Sequence, residues 1–143
     1  MKDIDIARKI LVEEDLGIVV VKDGKLIFKS RDRGIGPIYS LAVDMKEEAY
    51  KSSLADKIIG KGAALLCTYI GIEELYGKLI SENGIGVLDR HQIPYSMDSS
   101  CPYIMNREKT DYCPIEKLSL DTEEAEVLLK RVENFLASIN SKE

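Results

Sequence analysis

The stretch that most constrains the fold is residues 17–30, Gly-Ile-Val-Val-Val-Lys-Asp-Gly-Lys-Leu-Ile-Phe-Lys-Ser. Two β-prone runs flank the dipeptide Asp23-Gly24. Both residues of this dipeptide tolerate positive φ, which a type I′ turn requires at its two central positions. The stretch therefore predicts a β-hairpin near the beginning of the chain.

The remaining elements are predicted from hydrophobic periodicity and from capping residues. A strand is expected over residues 73–81, and short β-like pieces are expected between residues 93 and 105. A first helix is expected from the N-cap Asp3 to before Gly17, and a second over 38–45 behind Pro37. A third is expected over 55–70, between a cap at Ser52 or Ser53 and a stop at Gly71. Further helices are expected from Glu82 or Asn83 to His91, after Cys113, and from Asp121 to Ile139. This order predicts an α/β domain in which helices cover a small mixed sheet.

The predicted helix over residues 55–70 contains two glycines, Gly60 and Gly62. Alanine at either position would favour a helix by about 1 kcal/mol, so we expect these glycines to let another element pack closely. Lys57 and Lys61 lie one helical turn apart near the helix start. With the free N–H groups there they form a candidate anion site. The alternative is an ordinary solvated face.

The totals of the chain limit the function classes. A length of 143 residues predicts one domain, residues 1–143. The formal net charge of −5 argues against nucleic-acid binding. No apolar run approaches the roughly 20 residues that span a bilayer, and the first residues do not resemble a signal peptide. We therefore expect a cytoplasmic protein with free thiols at its three cysteines.

Cys113 precedes Pro114, and Glu116 stands where a capping-box partner would lie, so Cys113 is predicted to be an N-cap. A thiol at a helix start can have a lowered pKa, which makes Cys113 a candidate nucleophile, for which Asp56 or His91 would handle protons. The alternative is an inert, partly buried thiol.

Two polar residues just before this cysteine are also candidates. The guanidinium group of Arg107, beside Asn106, could bind a carboxylate or phosphate through two parallel hydrogen bonds. The alternative is that Arg107 pairs with Asp111 in an exposed turn. The cysteines lie 34 and 12 residues apart and the chain has a single histidine. This pattern fits no structural zinc site, so neither a metal nor a cofactor is expected.

Four motifs together resemble a prokaryotic family of uncharacterised proteins that is associated with a cytidine-deaminase-like fold. They are Ala55-Asp56-Lys57, Gly60-Lys61-Gly62-Ala63-Ala64, Asn106-Arg107 and Cys113-Pro114-Ile115-Glu116. The resemblance implies a three-layer domain whose central mixed sheet begins with the hairpin at 17–30. Residues 73–81 would be its third strand.

The resemblance also implies where the zinc motifs of true deaminases would stand. The helix over residues 55–70 would carry the His-Ala-Glu tripeptide, and Leu54-Ala55-Asp56 occupies that place without the histidine. The Pro-Cys-x-x-Cys motif would follow the third strand, where residues 81–86 contain no thiol. Zinc chemistry is therefore expected to be absent.

Three functional hypotheses follow. The first is a zinc-free, deaminase-like domain that binds a small anionic or nucleotide-like ligand. The second is a cysteine-dependent enzyme, and the third is a non-catalytic homo-oligomeric structural protein. The candidate catalytic residues are Asp56 and Cys113, and the candidate ligand-binding residues are Lys57, Lys61, Asn106 and Arg107.

Overall fold

A computed structural model describes residues 1–32, 34–106 and 108–140. The strands are β1 (Ile18–Lys22), β2 (Lys25–Ser30), β3 (Ser53–Ile59), β4 (Glu74–Ser81) and β5 (Tyr95–Cys101). The helices are α1 (Asp3–Glu13), α2 (Gly36–Asp44), α3 (Lys46–Ala49), α4 (Lys61–Ile70), α5 (Glu82–Arg90), α6 (Pro114–Ser119) and α7 (Ala125–Asn140). None of the helices in the described ranges is long and apolar enough to cross a membrane.

The strands form one mixed sheet in the order β2-β1-β3-β4-β5. β1 pairs antiparallel with both β2 and β3, whereas β3, β4 and β5 run parallel. Helix α4 connects β3 to β4 and helix α5 connects β4 to β5, as parallel neighbours require. The predicted α/β architecture, with a mixed sheet that a hairpin opens, is confirmed.

The hairpin turn is anchored by the first helix. Asp23 and Gly24 have φ angles of 52° and 76°, as the predicted turn requires. The carboxylate of Asp3 accepts hydrogen bonds from the backbone N–H groups of both turn residues, each at 2.9 Å. The prediction that Asp3 is the N-cap of α1 is wrong: Lys2 is the N-cap, and the Asp3 side chain serves the hairpin instead.

Helices cover both faces of the sheet and bury two apolar clusters. Helix α1 packs on one face, against Val19, Val21, Ala55 and Tyr76. Residues of α2, α4, α5 and α7 pack on the other face, against a cluster that includes Ile18 and other strand residues. Because both faces of β1 are covered, its first four residues are all buried.

The predicted helix over residues 55–70 is wrong in its first half. Residues 53–59 form β3, and α4 begins only at Lys61 with Gly60 as its N-cap. β3 lies between β1 and β4 and is covered on both faces, so it lacks the alternation that marks a half-exposed strand. The predicted stop at Gly71 is confirmed by its left-handed backbone, with φ 87°.

The other predicted elements are mostly present. β4 and α5 occupy the expected positions, and Ser81 caps α5 by accepting a hydrogen bond from the N–H of Gly84 at 3.1 Å. The final helix begins at Ala125 rather than at Asp121. Between residues 93 and 105 the chain forms β5, and an isolated bridge joins Met105 to Tyr112. The short helix α3 was not predicted.

Candidate functional site

The carboxyl ends of the three parallel strands meet at one edge of the sheet. β3 ends at Ile59, β4 at Ser81 and β5 at Cys101, and we call this region the carboxyl edge. The starts of α4 and α5 adjoin there, since a Cβ added to Gly84 would lie 3.2 Å from the carbonyl oxygen of Gly60. Ligands of open α/β sheets bind outside such strand ends.

A buried carboxylate occupies the start of α4 at the carboxyl edge. Glu116 of α6 is only 2% exposed. Its Oε1 atom accepts a hydrogen bond from the backbone N–H of Lys61 at 2.9 Å, and its Oε2 atom accepts one from the N–H of Ile104 at 3.3 Å. A free N–H at a helix start favours negative charge. Glu116 therefore supplies the capping oxygen that Gly60 lacks.

Glu116 was expected to complete a capping box with Cys113. That prediction is wrong in part, because Cys113 is the N-cap of α6 and Pro114 follows it, but no side-chain hydrogen bond caps this helix. The Glu116 carboxylate turns to a helix that lies 55 residues earlier in the chain. Its role as a cap of α4 was missed, and no local pattern in the sequence could have indicated it.

The two glycines around the start of α4 make room for α6. A Cβ on Gly60 would overlap Oε1 of Glu116, and a Cβ on Gly62 would lie 2.6 Å from Cγ2 of Ile115. The expectation of close packing at these positions is confirmed. The partner is α6, which packs across the start of α4.

Lys61 brings a cation to the start of α4 at the carboxyl edge. Its side chain is 7% exposed, and its Nζ atom lies 2.8 Å from Oε1 of Glu123. It also donates to the carbonyl oxygen of Leu120 at 3.4 Å. Glu123 pairs in addition with Arg90. The hydrogen bond from Lys61 is the main cause that lowers the pKa of Glu123, and the charges of Lys61 and Arg90 add to the effect.

Lys57 lies elsewhere, so the expected helical pairing with Lys61 is wrong. Lys57 stands on β3 and its Nζ atom lies 2.5 Å from Oδ1 of Asp15, at the end of the α1 region. Neighbouring side chains of a strand point to opposite faces, and its neighbour Asp56 faces away from α1. The two candidate lysines therefore do not converge on one ligand.

Asp56 is a buried carboxyl group in the middle of β3. It is 9% exposed, and its Oδ1 atom accepts a hydrogen bond from the N–H of Ile58 at 3.0 Å. Burial raises the pKa of Asp56 to about 8, against the weaker opposing effect of backbone hydrogen bonds from Ile58 and Lys57. The group is therefore mostly protonated at neutral pH. Once it ionises at higher pH, its charge adds to burial in raising the pKa of the Cys67 thiol.

The two candidate ligand-binding residues Asn106 and Arg107 are adjacent in the chain, and the structure describes only the first of them. Asn106 accepts a hydrogen bond from the N–H of Thr110 at 3.0 Å and donates to its hydroxyl group at 3.2 Å. These bonds close an exposed turn. Arg107 lies outside the described residues. The prediction that both bind a ligand stays a prediction.

The proposed proton partners of Cys113 are not beside it. Cys113 is half-buried at the start of α6, and its backbone N–H donates to the carbonyl oxygen of Ile104 at 2.9 Å. His91 is the C-cap of α5, at the far end of the helix that begins at the carboxyl edge. Asp56 lies within β3. Among the described contacts none joins Cys113 to either residue, so the cysteine-enzyme hypothesis stays a prediction without a placed base.

Cys101 is the thiol nearest the strand ends. Burial raises its pKa, and the charges of Glu116 and Glu82 raise it further. Within residues 1–32, 34–106 and 108–140, no three His, Cys, Asp or Glu side chains are grouped so that they could hold a metal ion.

His91 lines a separate open groove of about 480 Å³ beside α4 and the start of α7. Lys46 stacks on the ring of Tyr69 in this groove, with its Nζ atom 3.8 Å from the ring centroid. Glu124 and Glu126 line the same groove. The groove lies away from the carboxyl ends of the strands, where ligands of open α/β sheets bind, so the carboxyl edge is the better candidate site.

Comparison with known proteins identifies the family. The model of the TM1506 family, described as a domain of unknown function (DUF1893), matches residues 6–136. The chain belongs to the DUF1893 family. The crystal structure of a DUF1893 family protein, TM1506 from Thermotoga maritima, is similar to this DUF1893 chain with a TM-score of 0.85 and 26% sequence identity. The similarity covers 94% of this chain and 90% of the Thermotoga chain. None of the curated proteins matches.

Proposed function

We propose that this DUF1893 chain is a zinc-free, cytidine-deaminase-like domain that binds a small anionic or nucleotide-like molecule at the carboxyl edge. The observation that carries the proposal is the Glu116 carboxylate, which lies buried at the start of α4 and accepts hydrogen bonds from the backbone N–H groups of Lys61 and Ile104. In this proposal a carboxylate or phosphate of the ligand takes the place of Glu116. The three free cysteines are consistent with a cytoplasmic setting.

The strand order supports the deaminase-like part of the proposal. A hairpin opens the sheet, and helix α2 lies between this hairpin and β3, which is the third strand. The deaminase zinc motifs would then fall at the starts of α2 and α4, not within residues 54–56. Neither start has suitable ligands, because Gly36-Pro37-Ile38 and Lys61-Gly62-Ala63-Ala64 contain no histidine and no thiol.

The polar groups at the carboxyl edge support an anionic ligand. The N–H groups of Lys61 and Ile104 both donate to one carboxylate. The ammonium group of Lys61 is nearly buried and pairs with Glu123, and in this proposal it turns from Glu123 to the ligand. Hydrogen bonds to charged groups contribute more than neutral ones, about 1.5–3 kcal/mol each. An oxyanion that displaces Glu116 would find both N–H donors in place.

Calorimetric titration with inorganic phosphate and with cytidine monophosphate tests the proposal. The variant Glu116→Gln removes the competing charge, so we expect it to bind cytidine monophosphate at least about tenfold more tightly than the parent, equivalent to about 1.4 kcal/mol. Lys61→Met retains most of the apolar stem and should abolish the gain. Lys57→Met, on the other face of the sheet, is the matched control and should leave binding unchanged.

Two outcomes would contradict the proposal. One is that neither the parent nor Glu116→Gln binds phosphate or cytidine monophosphate while both remain folded. The other is that Lys57→Met weakens binding as much as Lys61→Met does. Tighter binding of the nucleotide than of phosphate would support a nucleotide-like ligand.

A further inference from the structure

Strand β5 forms an open edge of the sheet. Its residues pair only with β4 on one side, from the Leu75–Tyr95 pair to the Ser81–Cys101 pair. Among the described residues no other backbone segment bonds to its outer side. Residues 96–100 are all exposed. The outer N–H and C=O groups of alternate residues are therefore free to pair with another strand.

The two edge strands of the sheet, β2 and β5, differ in how well they are protected against pairing with a strand of another chain. The edge strand β2 contains Lys25 and Lys29, and lysines on an edge discourage pairing with another chain. β5, with the sequence Tyr-Ser-Met-Asp-Ser-Ser-Cys, contains no lysine, arginine or proline. Pro94 and Pro102 flank it and limit any added pairing to these seven residues.

The single charged residue of β5 has an oppositely charged neighbour within the chain. The Oδ1 atom of Asp98 lies 3.5 Å from Nη2 of Arg8. Asp98 also makes a side-chain hydrogen bond with Tyr76 that helps to raise the pKa of that phenol, after burial as the largest cause. Two β5 strands brought together would thus not bring two uncompensated charges together.

We infer that β5 is an interface at which two copies of this chain associate, with their β5 strands antiparallel about a two-fold axis. The side chains support self-pairing: Ser96, Ser99 and Ser100 are short and offer both donors and acceptors, so equal strands match each other. Met97, which is 38% exposed, adds apolar contact. The product is a continuous sheet across both copies.

The association is weak, because one edge of seven residues buries less than the roughly 1,200 Å² of a standard interface. Its formation is therefore to be sought between about 10 µM and about 1 mM, where a complex with a dissociation constant near 100 µM changes from mostly monomer to mostly dimer. This inference does not depend on the proposed ligand site.

Sedimentation velocity over that range and hydrogen exchange at its two ends test the inference. We expect the average mass of the full-length parent to rise towards that of a dimer, and amide exchange in residues 95–101 to slow at the high concentration. Met97→Lys places a charge at the interface and should keep the protein monomeric throughout. Leu26→Lys places the same charge at an exposed position of β2 and should dimerise like the parent.

Three results would overturn the inference. The first is a parent that stays monomeric up to about 1 mM. The second is a dimer in which exchange at residues 95–101 does not change with concentration. The third is a dimer that Leu26→Lys disrupts and Met97→Lys leaves intact, which would place the interface at β2. A far-ultraviolet circular dichroism spectrum checks that both variants are folded.

Discussion

Gly60 and Glu116 lie in direct contact, and the carboxylate of Glu116 fills the space that any side chain at position 60 would occupy. Gly60 is the N-cap of α4 and has no side chain to cap it. Glu116 provides the missing acceptor from α6, which is 55 residues away from Lys61 in the chain. This contact fastens the segment after β5 to the start of α4.

The contact predicts an asymmetry between two glycine substitutions. Gly60→Ala would push Oε1 of Glu116 away from the N–H of Lys61 and leave buried polar groups unpaired, so we expect a loss of about 1–3 kcal/mol in the free energy of unfolding. Gly86→Ala is the control, because an added Cβ meets only Nη1 of Arg90, at 3.4 Å. It should stabilise helix α5 by up to about 1 kcal/mol. Urea denaturation measures both changes.

Equal effects of the two substitutions would contradict this role of Gly60. So would a Gly60→Ala variant in which the N–H of Lys61 stays as protected from hydrogen exchange as in the parent.

The buried carboxyl group of Asp56 predicts an unusual pH dependence of stability. Its folded-state pKa, about 8, lies above the ordinary value of 3.8. The protonated group therefore contributes fully to the free energy of unfolding below about pH 4, and this contribution is lost as the pH rises towards 8. Asp56→Asn removes this loss, so we expect the variant to be more stable than the parent by on the order of 4 kcal/mol at pH 7 and nearly equal to it at pH 3.

Thermal and urea unfolding of the two proteins between pH 3 and pH 9 provide the measurement. Asp121→Asn serves as a control, since Asp121 is exposed and its pKa is lowered by Arg131. Above pH 5 the control variant should lose as much stability as the parent does. A difference between Asp56→Asn and the parent that is independent of pH would show that Asp56 ionises normally.

The three thiols should differ in reactivity. Cys67 is buried and its pKa is raised by burial and by Asp56, so iodoacetamide should not modify it in the folded protein. Cys101 should react slowly at neutral pH because burial, Glu116 and Glu82 raise its pKa. Glu116→Gln removes one of these causes and should speed alkylation of Cys101 by about a factor of two or more.

Peptide mass spectrometry after timed alkylation follows each thiol separately, and alkylation in urea confirms that all three can react. The same experiment tests the second functional hypothesis at Cys113. Rapid alkylation of Cys67 in the folded protein would contradict its burial. An unchanged rate at Cys101 in Glu116→Gln would show that the two groups are not coupled.

Much of the fold could be predicted because its signals are local. The Asp23-Gly24 turn requires positive φ at adjacent residues, and both have it. β4 ends at Ser81, whose hydroxyl caps α5 by accepting a hydrogen bond from the N–H group three residues later. Such patterns need no knowledge of the rest of the chain.

The errors arose where tertiary contacts decide. β3 is buried on both faces between β1 and β4, so its apolar residues do not alternate with polar ones, and its pattern does not differ from that of the helix that follows. This error placed Lys57 and Lys61 on one helix face, although the structure pairs them with Asp15 and Glu123. Lys61 alone of the two lies at the carboxyl edge. Glu116 is far from α4 in the chain and reaches this edge only in the folded protein, so its role as the cap of α4 could not be predicted.

The most direct test of the central claim is an amide chemical-shift titration of Glu116→Gln with cytidine monophosphate. If the ligand's anionic group takes the place of the Glu116 carboxylate, the amide resonances of Lys61 and Ile104 should shift earliest and most strongly. Shifts confined to the groove around Lys46 and His91, or no shifts at millimolar nucleotide, would contradict a ligand site at the start of α4.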